Sequence, residues 1–397
     1  MTQSVVDESS NAANTAAAAE GRAGTPQPSR GARMTSYDVA DFVVPGGKEE
    51  NWRFTPLKRL RGLHDGTAVA DSTVKVDADA APEVRVETVS RDDERLGAAG
   101  VPSDRVAAQA YSAFPEATLV TVPKETRASQ PSFVKLNGPG ENSAAYGHVQ
   151  VRAEPFSDSV VVLDYSGSGV YADNVELLVG DSAKLTVISV QDWADDAVHL
   201  SEQHLQLGKD ATLKHIVVTL GGDLVRVSPT AKFAGKGGDV EMLGLYFTDA
   251  GQHQEHRLFV DHKESNCKSN VLYKGALQGD SAHSVWIGDV LIGAAAEATD
   301  TFELNRNLVL TEGARADSVP NLEIETGEIA GAGHASATGH FDEEQLFYLM
   351  SRGIEEEQAR RLVVRGFFQE ILMRIEVPEV RERLEAAIEA ELEAVGV

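Results

Sequence analysis

From about residue 135 to 330, short β-branched runs alternate with Gly/Asp turns: VVVLDYSGSG, NVELLVGDSAKLTVISV, HLQLGKDATLKHIVVTL and KFAGKGGDVEMLGLYF. Three of these segments align. Gly180-Asp-Ser-Ala183-Lys-Leu185 matches Gly208-Lys-Asp-Ala211-Thr-Leu213, and both match Gly235-Lys-Gly-Gly238-Asp-Val240, at offsets of 28 and 27 residues. Looser echoes follow at Gly279-Asp-Ser-Ala282 and Glu312-Gly-Ala314. Strands repeating at this period, with a small residue at one fixed corner, are the pattern of a solenoid. No helix-period segment of ten or more residues interrupts the region, which argues against a βαβ sheet. The expected fold is mainly β, a parallel β-helix core over 131–338. A β-sandwich with accidental spacing is the alternative.

The pattern changes on both sides of this core. AAQAYSAF (107–114) reads as helix and ATLVTVP (117–123) alternates as a strand. Further upstream, NWRFTPLKRL places Trp52, Phe54, Leu57 and Leu60 around Pro56. This predicts a turn leading into a short helix with Pro56 at its first position. The region 34–130 is therefore expected to be helical or mixed. After about 340, DEEQLFYLMSRG predicts a helix ended by Gly353. EEEQARRLVVRGFFQEILMRI predicts a second, with Glu355, Glu356 and Glu357 at its start and Arg374 at its end. Its stripe is read at i+4 as Ala359, Val363, Phe367, Ile371 and Ile375. Pro378 opens a third helix, 378–394. A three-helix unit over 339–397 can hardly satisfy two apolar faces internally. One face is expected on the β core or on a partner.

Composition narrows the function. Lys and Arg total 36 against 62 Asp and Glu in 397 residues, a net charge of −26. Such a surface repels phosphate backbones and anionic membranes, so neither is an expected partner. No apolar run approaches a bilayer span. The single cysteine, Cys267, rules out an intramolecular disulfide or a self-contained Cys-rich metal site, and fits a reducing cytoplasmic compartment. Residues 1–33, rich in Ala, Ser, Thr, Gly and Pro without an aromatic, read as a disordered tail rather than a signal peptide.

Common catalytic signatures are missing: no G-x-x-x-x-G-K-[ST], no H-E-x-x-H and no G-x-S-x-G. His253, His256, His262 and Cys267 lie close in sequence. Along a strand only residues of equal parity share a face, so His256 and His262 face together, His253 opposes them, and Cys267 needs a turn to join. Solvated or structurally bonded side chains are the simpler reading there. His334 sits in GAGHASATGHFD, among small residues where the β region meets the helices. An accessible imidazole at such a seam suits a ligand or a contact residue, although the residues alone favour a structural role.

Taken in order, NWRFTPLKRL, SNVLYKGALQGDSAHSVWIGDVLI, NRNLVL with PNLEIETGEI, and GHASATGHFDEEQLFYLMSRGI with RGFFQEILMRI resemble the SufB/SufD family of iron–sulfur cluster assembly proteins. The resemblance spans about 40–395 and is most specific from Pro320 to Ile375. The W-R-F-T-P-L block, the length and the scarcity of cysteine resemble the SufD branch. Many relatives have a cysteine two residues before the histidine; here that position is Ala332.

The resemblance implies a right-handed parallel β-helix flanked by helical regions, and a non-enzymatic scaffold role in cluster assembly on the iron-entry side. It implies a SufB-like paralogue paired edge to edge, and leaves a homodimer open for the isolated chain. A SufC-like ABC ATPase would dock on the C-terminal helices and carry the ATP hydrolysis. For that docking the expected residues are Leu346, Phe347, Arg352, Val363, Phe367 and Ile371. His334 corresponds to a histidine that would contact iron or a nascent cluster at the partner interface. No cofactor is expected to bind stably to the chain alone. A SufB-like scaffold using Cys267 as sulfur acceptor is the alternative within the family. A β-helix carbohydrate-active or ligand-binding module is the alternative outside it, but no carboxylate pair recurs on successive rungs.

Overall fold

The computed structural model describes Gly31, residues 33–340 and residues 343–394. Apart from Gly31 and Arg33, the tail expected over 1–33 lies outside the described residues. From Met34 onward the chain forms one compact unit. Each turn of its parallel β-solenoid supplies one strand to each of two nine-stranded sheets.

The first sheet runs β1 (Lys75–Asp79), β4 (Ser132–Asn137), β6 (Asp158–Gly167), β8 (Lys184–Trp193), β10 (Thr212–Gly221), β12 (Asp239–Thr248), β14 (Lys268–Leu277), β16 (Thr299–Val309), β18 (Ile329–His340). The second runs from β2 (Arg85–Ser90) and β3 (Glu116–Val122) through β5 (Ala144–Ala153), β7 (Val170–Val179), β9 (Val198–Leu207), β11 (Leu224–Phe233), β13 (His253–His262) and β15 (His283–Ile292) to β17 (Arg315–Ile324). Only β1 and β2 pair antiparallel. Parallel pairing starts at β3, before the expected start at 131, and β3 is the strand read over 117–123.

The repeat read from the sequence is the ladder itself. Leu185, Leu213 and Val240 stand in register, so the Gly180, Gly208 and Gly235 corners stack. The looser echoes do not continue that column. Gly279 and Gly313 precede β15 and β17 and turn the opposite corner. The column is instead continued by Cys267, fully buried, in the place of Ala183, Ala211 and Gly238. Burial pushes its thiol pKa up, which keeps it protonated and inert.

Both sheets are covered. Their inward faces meet in one core of alternating apolar side chains. On β12 and β14 this core interlocks: Gly244 lies opposite Tyr273, and Tyr246 opposite Gly275. The outer face of the second sheet is covered by an N-terminal cap containing Trp52, Leu60, Leu63 and α1 (Arg105–Ala113). Asp104 caps α1 by accepting from the Ala107 amide. Around Pro56 the chain makes one 3-10 turn, Leu57–Leu60, with Pro56 at its N-cap rather than at its first helical position.

The outer face of the first sheet is covered by α3 (Glu356–Leu372) and α4 (Pro378–Ala394), preceded by α2 (Glu343–Ser351). Gly353 follows α2 at φ 85°, where a side chain would be strained. On α3 the buried residues are Ala359, Val364, Phe368, Ile371 and Leu372. Val363 and Phe367, read as part of the buried stripe, lie only partly buried beside it. A strict i+4 step overshoots the true 3.6-residue period, so the stripe winds around the axis, and its later members Ile371 and Ile375 reach the packed face that Val363 and Phe367 only border.

Candidate functional site at the open end of the solenoid

The last turns change the chemistry of the core. On β16 the inward positions hold Glu303, Asn305 and Asn307, all buried. Asn305 Nδ2 donates to Tyr246 Oη at 2.9 Å, and Asn307 Nδ2 donates to Asn305 Oδ1 at 2.8 Å. Asn307 also donates to Ser318 Oγ of β17 at 3.0 Å and Thr338 Oγ1 of β18 at 3.3 Å. These bonds tie the two outermost strands to the apolar turns below. The block NRNLVL thus carries its meaning in parity: both asparagines point inward and Arg306 outward. Glu303 shares their face, and the same parity marks it in the sequence.

His334 stands on β18 directly above Glu303 in the ladder. Its Nδ1 is 3.7 Å from Glu303 Oε1, an ion-pair distance longer than a hydrogen bond; the His334 side chain is 41% exposed and that of Glu303 only 1%. The carboxylate has room because Gly288 lacks a side chain: a Cβ there would come within 2.3 Å of Glu303 Oε2. So an accessible imidazole on an outermost strand is backed by a buried carboxylate. Ala332, two residues earlier, stands in register with Thr301 and brings no thiol. One imidazole and one carboxylate are hard and borderline ligands, too few to hold a cluster alone.

The six residues expected to dock an ATPase divide. Phe347 is 74% exposed and its neighbour Tyr348 57%, while Leu346 of the same helix is buried. Arg352 lies over the Tyr348 ring, 5.2 Å from its centroid. Phe367 packs at the edge of the core, with Lys274 Nζ 5.1 Å from its ring. Ile371 is fully buried against the first sheet and is not on the surface. It belongs to the face that anchors α3, in the buried cluster that also contains Val380 and Leu384 of α4. The anchoring is also polar: Arg383 reaches Asp164 through two bonds of 2.7 and 2.8 Å, and Lys274 Nζ lies 2.8 Å from Glu370 Oε2.

The histidines near Cys267 are separated by the strand, as parity requires. His256 and His262 point into the core, where His256 shares a hydrogen bond with Thr219 at 2.9 Å and His262 with Ser269 at 2.8 Å. Burial holds their pKa values at about 3 and about 4, so both are neutral. His253 lies on the opposite face with Glu255. Among the described residues no group of three or more His, Cys, Asp or Glu has metal-holding geometry. Among the same residues no helix is long and apolar enough to cross a membrane.

The fold and its open end define a two-sheet parallel β-solenoid protein whose last rung carries an imidazole backed by a carboxylate. The chain belongs to the SufBD family of iron–sulfur cluster assembly proteins: the family model described as "SUF system FeS cluster assembly, SufBD core domain" matches residues 135–367. It is 63% identical over 370 residues to an iron–sulfur cluster assembly SufBD family protein of Mycobacterium tuberculosis (strain CDC 1551 / Oshkosh), covering 92% of this chain and 93% of that one. A Mycobacterium leprae (strain TN) protein of the same description is 62% identical over 369 residues, 91% of this chain and 94% of its own. A Staphylococcus saprophyticus relative is 26% identical over 259 residues, covering 64% of this chain and 55% of the relative.

Proposed function

We propose that the chain is a SufD-like, non-catalytic scaffold subunit that assists de novo iron–sulfur cluster assembly together with a SufB-like paralogue and a SufC-like ATPase. The observation carrying this reading is His334, presented on the outermost strand β18 with buried Glu303 behind it. Iron or the nascent cluster is the cargo. One imidazole cannot hold it, so the remaining ligands come from the paralogue. The outermost strands β17 and β18 offer the backbone edge on which that paralogue pairs. A second copy of this chain would cover the same edge when the paralogue is absent.

The exposed Phe347 and Tyr348 of α2 support the ATPase contact. ATP-driven movement of the C-terminal helices would rearrange the seam and expose His334. The sequence carries no G-x-x-x-x-G-K-[ST] motif, which is in keeping with hydrolysis by the ATPase partner. The lone cysteine fits a reducing cytoplasm. The SufB-like alternative needs Cys267 as sulfur acceptor, and burial in the corner column argues against it.

The test is co-expression with SufB-like and SufC-like partners, followed by co-purification and anaerobic absorption spectroscopy. A three-component complex that takes up iron and sulfide supports the reading. The His334→Ala complex should assemble but remain colourless. Normal cluster formation in it would remove the ligand role.

A further inference from the structure

Apart from His334, two imidazoles face each other on the outer side of the second sheet. His253 begins β13 and His283 begins β15, paired directly across the ladder. Their Nδ1 atoms are 3.2 Å apart, with the rings inclined at 71°. Each far nitrogen already has a carboxylate. His253 Nε2 lies 3.3 Å from Glu255 Oε2, and His283 Nε2 lies 2.8 Å from Asp317 Oδ2.

Both carboxylates are held among donors. Glu255 accepts from the Thr55 hydroxyl at 2.7 Å and has Arg226 and Arg257 nitrogens at 3.4 Å. Asp317 has an Arg315 nitrogen at 2.9 Å. An ionised carboxylate only accepts, so each Nε2 carries the ring's proton. A neutral imidazole has one N–H. With both rings neutral, the two Nδ1 atoms are both acceptors at hydrogen-bond distance, each with a lone pair open to a shared cation.

The spacing fits a metal ion. Two imidazole nitrogens at about 2.0–2.1 Å from a tetrahedral zinc stand about 3.3 Å apart. A carboxylate on the far nitrogen is also how metal-binding histidines are oriented. His253 is buried, while the His283 side chain is 24% exposed, so solvent reaches the pair from the His283 side.

We propose that His253 and His283 bind one divalent transition ion of the zinc type through their Nδ1 atoms, with water completing the coordination. The site lies apart from His334 and uses none of its residues. It also bridges two solenoid turns, so occupancy would stiffen the ladder beneath the N-terminal cap.

The experiment is calorimetric titration of the tag-free full chain with zinc chloride, with the cobalt(II) absorption spectrum as a second readout. One equivalent should bind, with imidazole–cobalt bands. Binding should be lost in His283→Gln and weakened about 10-fold or more in Asp317→Asn. The His334→Ala chain should bind as the wild type does, so failure of the cluster role leaves this result unaffected. No saturable binding, or undiminished binding in His283→Gln with a native circular dichroism spectrum, overturns the proposal. So does a nitrogen-15 spectrum in which the two rings share a proton in the presence of zinc.

Discussion

Glu303 lies one turn below His334 on the inward face of the solenoid, its Oε1 3.7 Å from the imidazole Nδ1. In the proposed ligand role, Glu303 would orient the ring from the Nδ1 side and turn Nε2 toward the cargo. Glu303→Gln keeps the volume and removes the charge. Cluster formation in the reconstituted complex should fall about 10–100-fold, the usual effect of losing such a partner. The rate of cluster absorbance development measures it, and a wild-type rate would show that Glu303 only fills space.

The Tyr–Gly interlock of β12 and β14 makes a packing prediction. A Cβ on Gly275 would lie 1.9 Å from a ring carbon of Tyr246, and one on Gly244 would lie 2.0 Å from Tyr273. Neither ring can retreat, because both are fully buried. Gly275→Ala should destabilise the fold by about 1–3 kcal/mol or more, as overpacking does. Urea melts followed by circular dichroism would detect this. An unchanged midpoint would mean that the rung expands freely.

The C-terminal helices should separate anchoring from docking. Phe368→Ala removes a fully buried ring from the α3 face and should cost about 3–5 kcal/mol. Phe347→Ala removes a ring that is 74% exposed and should leave stability within about 0.5 kcal/mol. Only the second should weaken ATPase co-purification without changing the melting curve. Equal ATPase retention in Phe347→Ala and wild type would move the contact elsewhere.

Acid should loosen the solenoid before it unfolds exposed regions. Burial holds His204, His215 and His262 at about 4 and His256 at about 3. Each group is neutral when folded and binds a proton more readily when unfolded. Its stability contribution is therefore complete above about pH 6.5 and falls as pH drops from there through 4, by about 1.4 kcal/mol per unit. Glu202 acts in the opposite sense. Burial, followed by the charge of Asp104, pushes it to about 8, so its contribution is lost as pH rises toward 8. The 3.4 Å contact of Glu202 with His204 is accordingly between two uncharged groups rather than an ion pair. Four imidazoles outweigh one carboxyl, so urea midpoints should fall from pH 6.5 to 4.5. Constant midpoints across that interval would contradict the burial of these histidines.

The sequence by itself determined the solenoid, because a strand repeat with a small corner residue stacks in one way only. It also determined α1, β3 and the three C-terminal helices, whose caps and periods are local. Tertiary structure decided what depends on register between turns. The turn-to-turn offset changes along the ladder: Lys184 pairs with Thr212, but Lys268 pairs with Asp300. No local pattern fixes that change, so Glu303 beneath His334, and His253 against His283, emerge only when the rungs are stacked. The same holds for the helices. Their apolar faces were legible, but which residue of each face meets the sheet was set by the shape of the surface they cover. Ile371 went inward there, while Phe347 stayed outside.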